Sequence, residues 1–157
     1  YLAELSDNGV TVGDGWVTAY YTNFSGSSGR GPQPMVVSYA SSPAAEVIFA
    51  DPPLTAAPTA SIVSEGMCYR QIEFIGILAG TRQRALAEAF VDFMLSKEVQ
   101  EDIPLQMFVY PVDPEARLPE AFSLWNQVAE DPAALDPALI AARREQWITD
   151  WTETVLR

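Results

Sequence analysis

The chain has 157 residues, 9 Lys+Arg against 21 Asp+Glu for a net charge of −12, one cysteine and no histidine. The missing histidine excludes Ser-His-Asp and Cys-His hydrolases and any His-ligated zinc site supplied by this chain, and the lone Cys68 excludes an internal disulfide. The negative charge argues against nucleic acid and anionic lipid, whose recognition needs clustered Lys and Arg, while the length suits one domain able to bury a core.

The opening Tyr1-Leu2-Ala3-Glu4-Leu5 carries an acidic residue where a secretory leader would be basic. It reads as the last turns of a helix that stops at Asn8-Gly9, where a left-handed residue fits. A start inside a helix and without Met reads as a piece of something longer. Val10 to Val12 is a short β-rich run, Gly13-Asp14-Gly15 a turn lacking the third glycine of a dinucleotide fingerprint, and Trp16 to Tyr21 the opening of a helix. Ser25 to Gly31 is a loop by its glycine and serine content. Gly31 to Ala45 is the longest uncharged stretch, and Pro32, Pro34 and Pro43 keep it from spanning a bilayer as a helix.

Met35 to Tyr39 reads as a strand, and Ser42-Pro43 behind it as a helix start, serine capping free N–H groups and proline fitting the first turn. After a helix over Ala44 to Phe49 and a Pro/Ala-rich loop to Pro58, Ser61 to Ser64 and Tyr69 to Ala79 read as two strands. The second contains the most apolar run, Ile72 to Leu78, in which Glu73 must face water or find a partner. Leu86, Phe90, Phe93 and Met94 recur at helical spacing between Glu88 and Asp92, which predicts an amphipathic helix over 83–96. A short acidic helix from Lys97 to Asp102 is expected to end at Ile103-Pro104, and Phe108 to Val112 to run extended up to the proline-rich loop that follows. Asp136-Pro137 repeats the cap-plus-proline start, and Ile140, Trp147, Ile148, Trp151 and Val155 line one face of a last helix. Strands alternating with helices predict an α/β fold with a central mixed sheet flanked by helices.

Several aromatic residues stand at element ends rather than in periodic stripes: Trp16 after Gly15, Tyr39 at the end of a strand, Phe108 and Tyr110 before Pro111. Such ends are where α/β folds gather ligands, and rings collected there hold a cation for about 0.5–2 kcal/mol each; the plainer alternative is that each ring fills core volume. Ser38 and Ser41 put hydroxyls beside a helix start, suited either to a polar ligand group or to an ordinary cap. Tyr20-Tyr21 is a candidate phenolate pair for ferric iron, or simply a half-buried pair on a helix. Trp147 and Trp151 are read as packing, and no Asp/Glu pair has a spacing that singles out a carboxylate hydrolase.

Six separated blocks then carry a family resemblance: Val10-Thr11-Val12 to Gly15-Trp16, Val36 to Ala44, Tyr69 to Phe74, Phe90 to Ser96, Asp102 to Val112, and Ala141 to Ile148. In this order they resemble the C-terminal half of the thiamine-binding proteins of bacterial ABC importers. The resemblance implies a lobe of the type II periplasmic-binding-protein kind: a second-lobe core over about 10–78, a hinge and returning segment over about 79–112, and a C-terminal helical segment over 113–157. It implies a periplasmic or extracellular receptor, not an enzyme, with no catalytic residue, cofactor or metal. Its ligand is thiamine or a thiamine phosphate, captured between two lobes by aromatic and cation-π contact and delivered to a membrane permease. Carried over by motif, Trp16, Tyr39 and Phe108 are the aromatic wall. Apart from the motif, Ser38 and Ser41 fit the hydrogen bonds that thiamine asks for, and Tyr20-Tyr21, flanking the loop over 22–34, are secondary candidates for a replacement ring. Ala45 departs from relatives that carry a tyrosine just after the Ser-Pro step. A missing N-terminal lobe or a second copy of the chain is the expected companion. A ferric-iron receptor of the same fold and a structural fragment without its own ligand stand as alternatives.

Overall fold

The computed structural model describes residues 1–156, apart from the side chains of residues 27 and 28. The chain divides into two units, one formed by Tyr1–Ser38 with Pro132–Arg157 and the other by Tyr39–Asp131.

In the first unit, helix α1 (Leu2–Asp7) ends at Asn8, and Gly9 takes the left-handed conformation (φ 77°) that the Asn-Gly pair predicts. Trp16 begins a helical stretch that widens into a π-helix over Thr18–Asn23, marked by the Phe24 N–H donating to the carbonyl of Ala19, five residues back. The glycine-rich stretch expected to be a loop contains one helical turn, α2 (Ser25–Ser28), stopped by Gly29 at φ 66°. The chain then returns alongside the π-helix: Gln33 N–H donates to Asn23 O (2.9 Å), Ser25 N–H to Gln33 O (2.8 Å), and Gln33 Nε2 to Thr11 Oγ1 (2.7 Å). Gly31 is required by this close approach, because a Cβ there would collide with the Asn23 carbonyl. The last helix, α7 (Pro137–Val155), starts as its sequence signature dictates, with Asp136 accepting from the Ala138 N–H at 2.8 Å and Pro137 in the first turn, and packs on α1.

The second unit is built from α3 (Ser42–Ile48), α4 (Arg84–Met94), α5 (Lys97–Met107) and α6 (Glu120–Trp125), with α3 against α6 and α4 against α5. Helix α4 coincides with the amphipathic periodicity, yet Leu86, Phe90 and Phe93 of its apolar face remain more than half exposed. The short acidic helix does not stop at Pro104. It continues as α5 to Met107, with the Pro104 ring fully buried, so local packing outweighs the backbone hydrogen bond that proline removes. Glu101 of α5 receives both Nε and Nη2 of Arg117 (3.2 and 3.1 Å) together with the Arg117 backbone N–H, and these hydrogen bonds hold its carboxyl below the usual carboxylate range.

Gln100 is 3% exposed and acts as the buried clip of this unit. Its Nε2 donates to Met94 O (2.8 Å), and its Oε1 accepts from the backbone N–H groups of Val112 (2.8 Å) and Asp113 (3.4 Å). Gln100→Ala removes these three hydrogen bonds, each of which contributes about 0.5–1.5 kcal/mol net. The expected loss in urea unfolding is about 2 kcal/mol, with Gln100→Glu intermediate because its carboxylate keeps the acceptor while losing the donor.

The expected central mixed sheet is not formed. Among the described residues the architecture is helical and irregular, and the pairing that occurs is bridge-like, as in the isolated parallel bridge between Phe24 and Gln33. The segments expected to be strands, over 10–12, 35–39, 61–64, 69–79 and 108–112, run without regular secondary structure. The reason is physical: an apolar, β-branched run favours an extended backbone, but a ladder needs a second chain segment to take its N–H and C=O groups. Among the described residues these runs form no ladder with one another, and apolar side chains along them face water, with Val37 at 95%, Phe74 at 89% and Leu78 at 82% exposure. Glu73 takes the solvent option, accepting from Gln71 Nε2 at 3.4 Å.

Candidate ligand-binding site

Trp16 stands on the first helical turn after Gly15 and is held from three directions within its own unit. Its indole N–H donates to Ser38 Oγ at 2.9 Å. Tyr20 stacks on it, with ring centroids 4.9 Å apart and planes 17° from parallel, and Tyr21 meets it edge-on at 5.4 Å and 85°. The two tyrosines are themselves T-shaped at 5.4 Å, and Tyr20 leans on Phe24 at 5.6 Å. Tyr20 is buried at 3% exposure, whereas Trp16 and Tyr21 are open to solvent at 39% and 55%. The sequence-predicted residues Trp16, Ser38, Tyr20 and Tyr21 are therefore one cluster.

The remaining predicted residues, Tyr39, Ser41 and Phe108, belong to the second unit. Tyr39 is exposed, and its carbonyl accepts from the Ser42 N–H at 3.0 Å, turning the chain into α3. Ser41 is the N-cap of α3, 7% exposed, and caps through its carbonyl (Ala45 N–H to Ser41 O, 3.1 Å) rather than through its hydroxyl. With its amide nitrogen turned toward them, Asn126 at the end of α6 donates to the carbonyls of Ala40 and Ser41 (3.3 Å each), and Ser61 Oγ donates to Ala40 O (3.0 Å). Neither Asn126 nor Ser61 carries a sequence signal for this duty, because both contacts join residues far apart in the chain.

Phe108 lies at the opposite end of α3. It meets Phe49, the C-cap of that helix, edge-on at 5.3 Å and 79°. The seven residues of α3 lie between Ser41 and Phe49, eight steps of about 1.5 Å, or about 12 Å. The structure thus sets Phe108 with Phe49, and not with Ser41. Phe108 closes α5 in the left-handed region (φ 58°), an uncommon conformation for a bulky residue. Next along the chain, Tyr110 packs edge-on against the buried Phe122 (5.7 Å, 80°), and burial pushes its hydroxyl above the ordinary tyrosine value, with the Asn126 side chain pulling the other way.

Two hollows of the second unit, lined by Phe93, Glu98, Val99, Glu101 and Asp102 and by Val63, Glu65, Gln127, Val128, Glu130 and Asp131, contain none of the sequence-predicted residues. Among the described residues no group of three or more His, Cys, Asp or Glu side chains could hold a metal ion, and no helix is long and apolar enough to cross a membrane.

Within the first unit, Trp16 and Tyr21 present exposed rings beside the Ser38 hydroxyl, and the chain as a whole carries a charge of −12. The chain is similar over 98% of its length to the thiamine-binding periplasmic proteins of Escherichia coli (strain K12) and Salmonella typhimurium, at 34% identity to each, and to that of Brucella suis at 29%. The resemblance carried by the six sequence blocks therefore holds along nearly the whole chain. The chain spans less than half the length of these curated relatives, 44%, 44% and 43% respectively. Neither a family model nor a solved structure matches it.

Proposed function

We infer that this chain supplies part of a periplasmic thiamine receptor that serves an import permease, and that it binds its ligand without transforming it. The observation that carries the reading is the likeness, over 98% of the chain, to proteins named thiamine-binding. Chemistry agrees with it. Thiamine joins a flat aminopyrimidine to a permanently cationic thiazolium, and so calls for ring faces, a few hydrogen-bonding groups and negative surroundings. In the first unit Trp16 and Tyr21 offer exposed rings and Ser38 a hydroxyl, and the charge of −12 gives the electrostatic setting. Ferric iron gains no support, since Tyr20 is buried against Trp16 and the relatives are named for the vitamin.

The relatives are more than twice as long as the matched stretch. In this reading the exposed apolar side chains of α4 and of the segment over 69–79 are covered by the remainder of a longer receptor, because apolar faces of this kind are otherwise aggregation-prone. The function is tested by titrating the full-length protein with thiamine while following tryptophan emission and heat. Saturable quenching with one-to-one stoichiometry is expected; the absence of saturable binding overturns the reading.

A further inference from the structure

Trp16 stands just before the π-helix, and Tyr20 within that helix stacks on its indole. In a regular helix of 3.6 residues per turn, positions five apart point about 140° from each other, so Trp16 and Tyr21 would diverge. The widened turn brings Tyr21 back to the indole edge while Tyr20, four residues on from Trp16, stays stacked on its face. Tyr20 is the innermost ring of this group, almost entirely shielded from water, and it touches Trp16, Tyr21 and Phe24 together.

Two fixed contacts at different parts of one indole, a stacked ring on its face and the Ser38 hydroxyl at its N–H, determine the plane in which it lies. Holding a ring in its binding orientation before the ligand arrives lowers the ordering cost of association. We propose that Tyr20 is a positioning residue, which acts on the ligand by holding the Trp16 indole in place and makes no contact with the ligand itself. This assignment rests on the reading that Trp16 meets the ligand, and it differs from the secondary contact role that the sequence suggested for Tyr20. Because the stack needs a ring and not a hydroxyl, phenylalanine performs the same task.

The test compares Tyr20→Phe and Tyr20→Leu in the full-length protein, by thiamine affinity and by the near-ultraviolet circular dichroism of the aromatic cluster without ligand. Tyr20→Phe is expected to keep both the aromatic signal and the affinity. Tyr20→Leu is expected to lose the signal and to weaken binding about two- to tenfold, the range that an aromatic pair supports, while the far-ultraviolet spectrum is unchanged. Should the leucine variant fail to fold, Tyr20→Met, of similar volume and without a ring, makes the same comparison. Full affinity in the leucine or methionine variant overturns the assignment. So does a loss of affinity in Tyr20→Phe, which would show that the hydroxyl, and not the ring stack, governs binding. If the parent protein binds no thiamine, the functional reading fails, and the near-ultraviolet comparison alone then decides whether Tyr20 orders the indole.

Discussion

Trp16→Ala in the full-length protein is expected to weaken thiamine binding by at least about 30-fold, equivalent to about 2 kcal/mol, the usual threshold for an aromatic hot spot. The estimate has two parts. Removal of the indole takes away the largest ring of the exposed cluster, and a cation over an indole face contributes about 0.5–2 kcal/mol according to how far water is excluded. It also leaves Ser38 without its donor at 2.9 Å and Tyr20 without its stacking partner, so the neighbouring groups lose their order as well. Trp147, similarly exposed on α7, is the control: Trp147→Phe is expected to leave affinity unchanged. Calorimetry is the better readout, because the substitution removes one of the reporting fluorophores. An affinity for Trp16→Ala within threefold of the parent would remove this side chain from the site.

How much of this was legible in the sequence depends on how far apart the interacting residues are. Features decided within a few residues came through: α4 from the spacing of Leu86, Phe90, Phe93 and Met94, the start of α7 from Asp136-Pro137, and the end of α1 from Asn8-Gly9. The sheet did not, because strand character in Ile72 to Leu78 is a local preference whereas pairing needs a neighbour, and among the described residues that segment joins no ladder. The run through Pro104 was missed for a related reason: proline argues for a stop, and only the buried packing of its ring overrides it.

Within the candidate site the same division holds. Trp16 and Ser38 were each singled out by local context, but the hydrogen bond that joins them across 22 positions has no local signature. Nor has the π-turn, whose residues Thr18 to Asn23 look like an ordinary helix opening. The edge-on partner of Phe108 is Phe49, which in the sequence reads simply as the last residue of a short helix. Gln100 and Asn126, which clip the backbone at Val112 and at Ala40–Ser41, are polar residues whose importance arises only from burial and from remote partners.

The second large effect is on stability. Phe122→Ala is expected to lower the unfolding free energy of the second unit by about 3–5 kcal/mol, the range for truncating a buried phenylalanine, against a total of about 5–15 kcal/mol for an ordinary domain. Phe122 is 1% exposed on α6, the helix that packs on α3, where Ala44 is fully buried, and it receives the edge of Tyr110. Its position adds a functional consequence: α6 ends at Asn126, whose amide meets the carbonyls of Ala40 and Ser41. A loosened α6 therefore disturbs the turn that carries Tyr39. Urea unfolding read by circular dichroism checks the magnitude, with Phe122→Leu expected to recover more than half of the loss because most of the buried volume returns. A change below about 1 kcal/mol for the alanine variant, no more than an average substitution produces, would mean that the unit is held together elsewhere and that the α3–α6 contact does not support the Tyr39 turn.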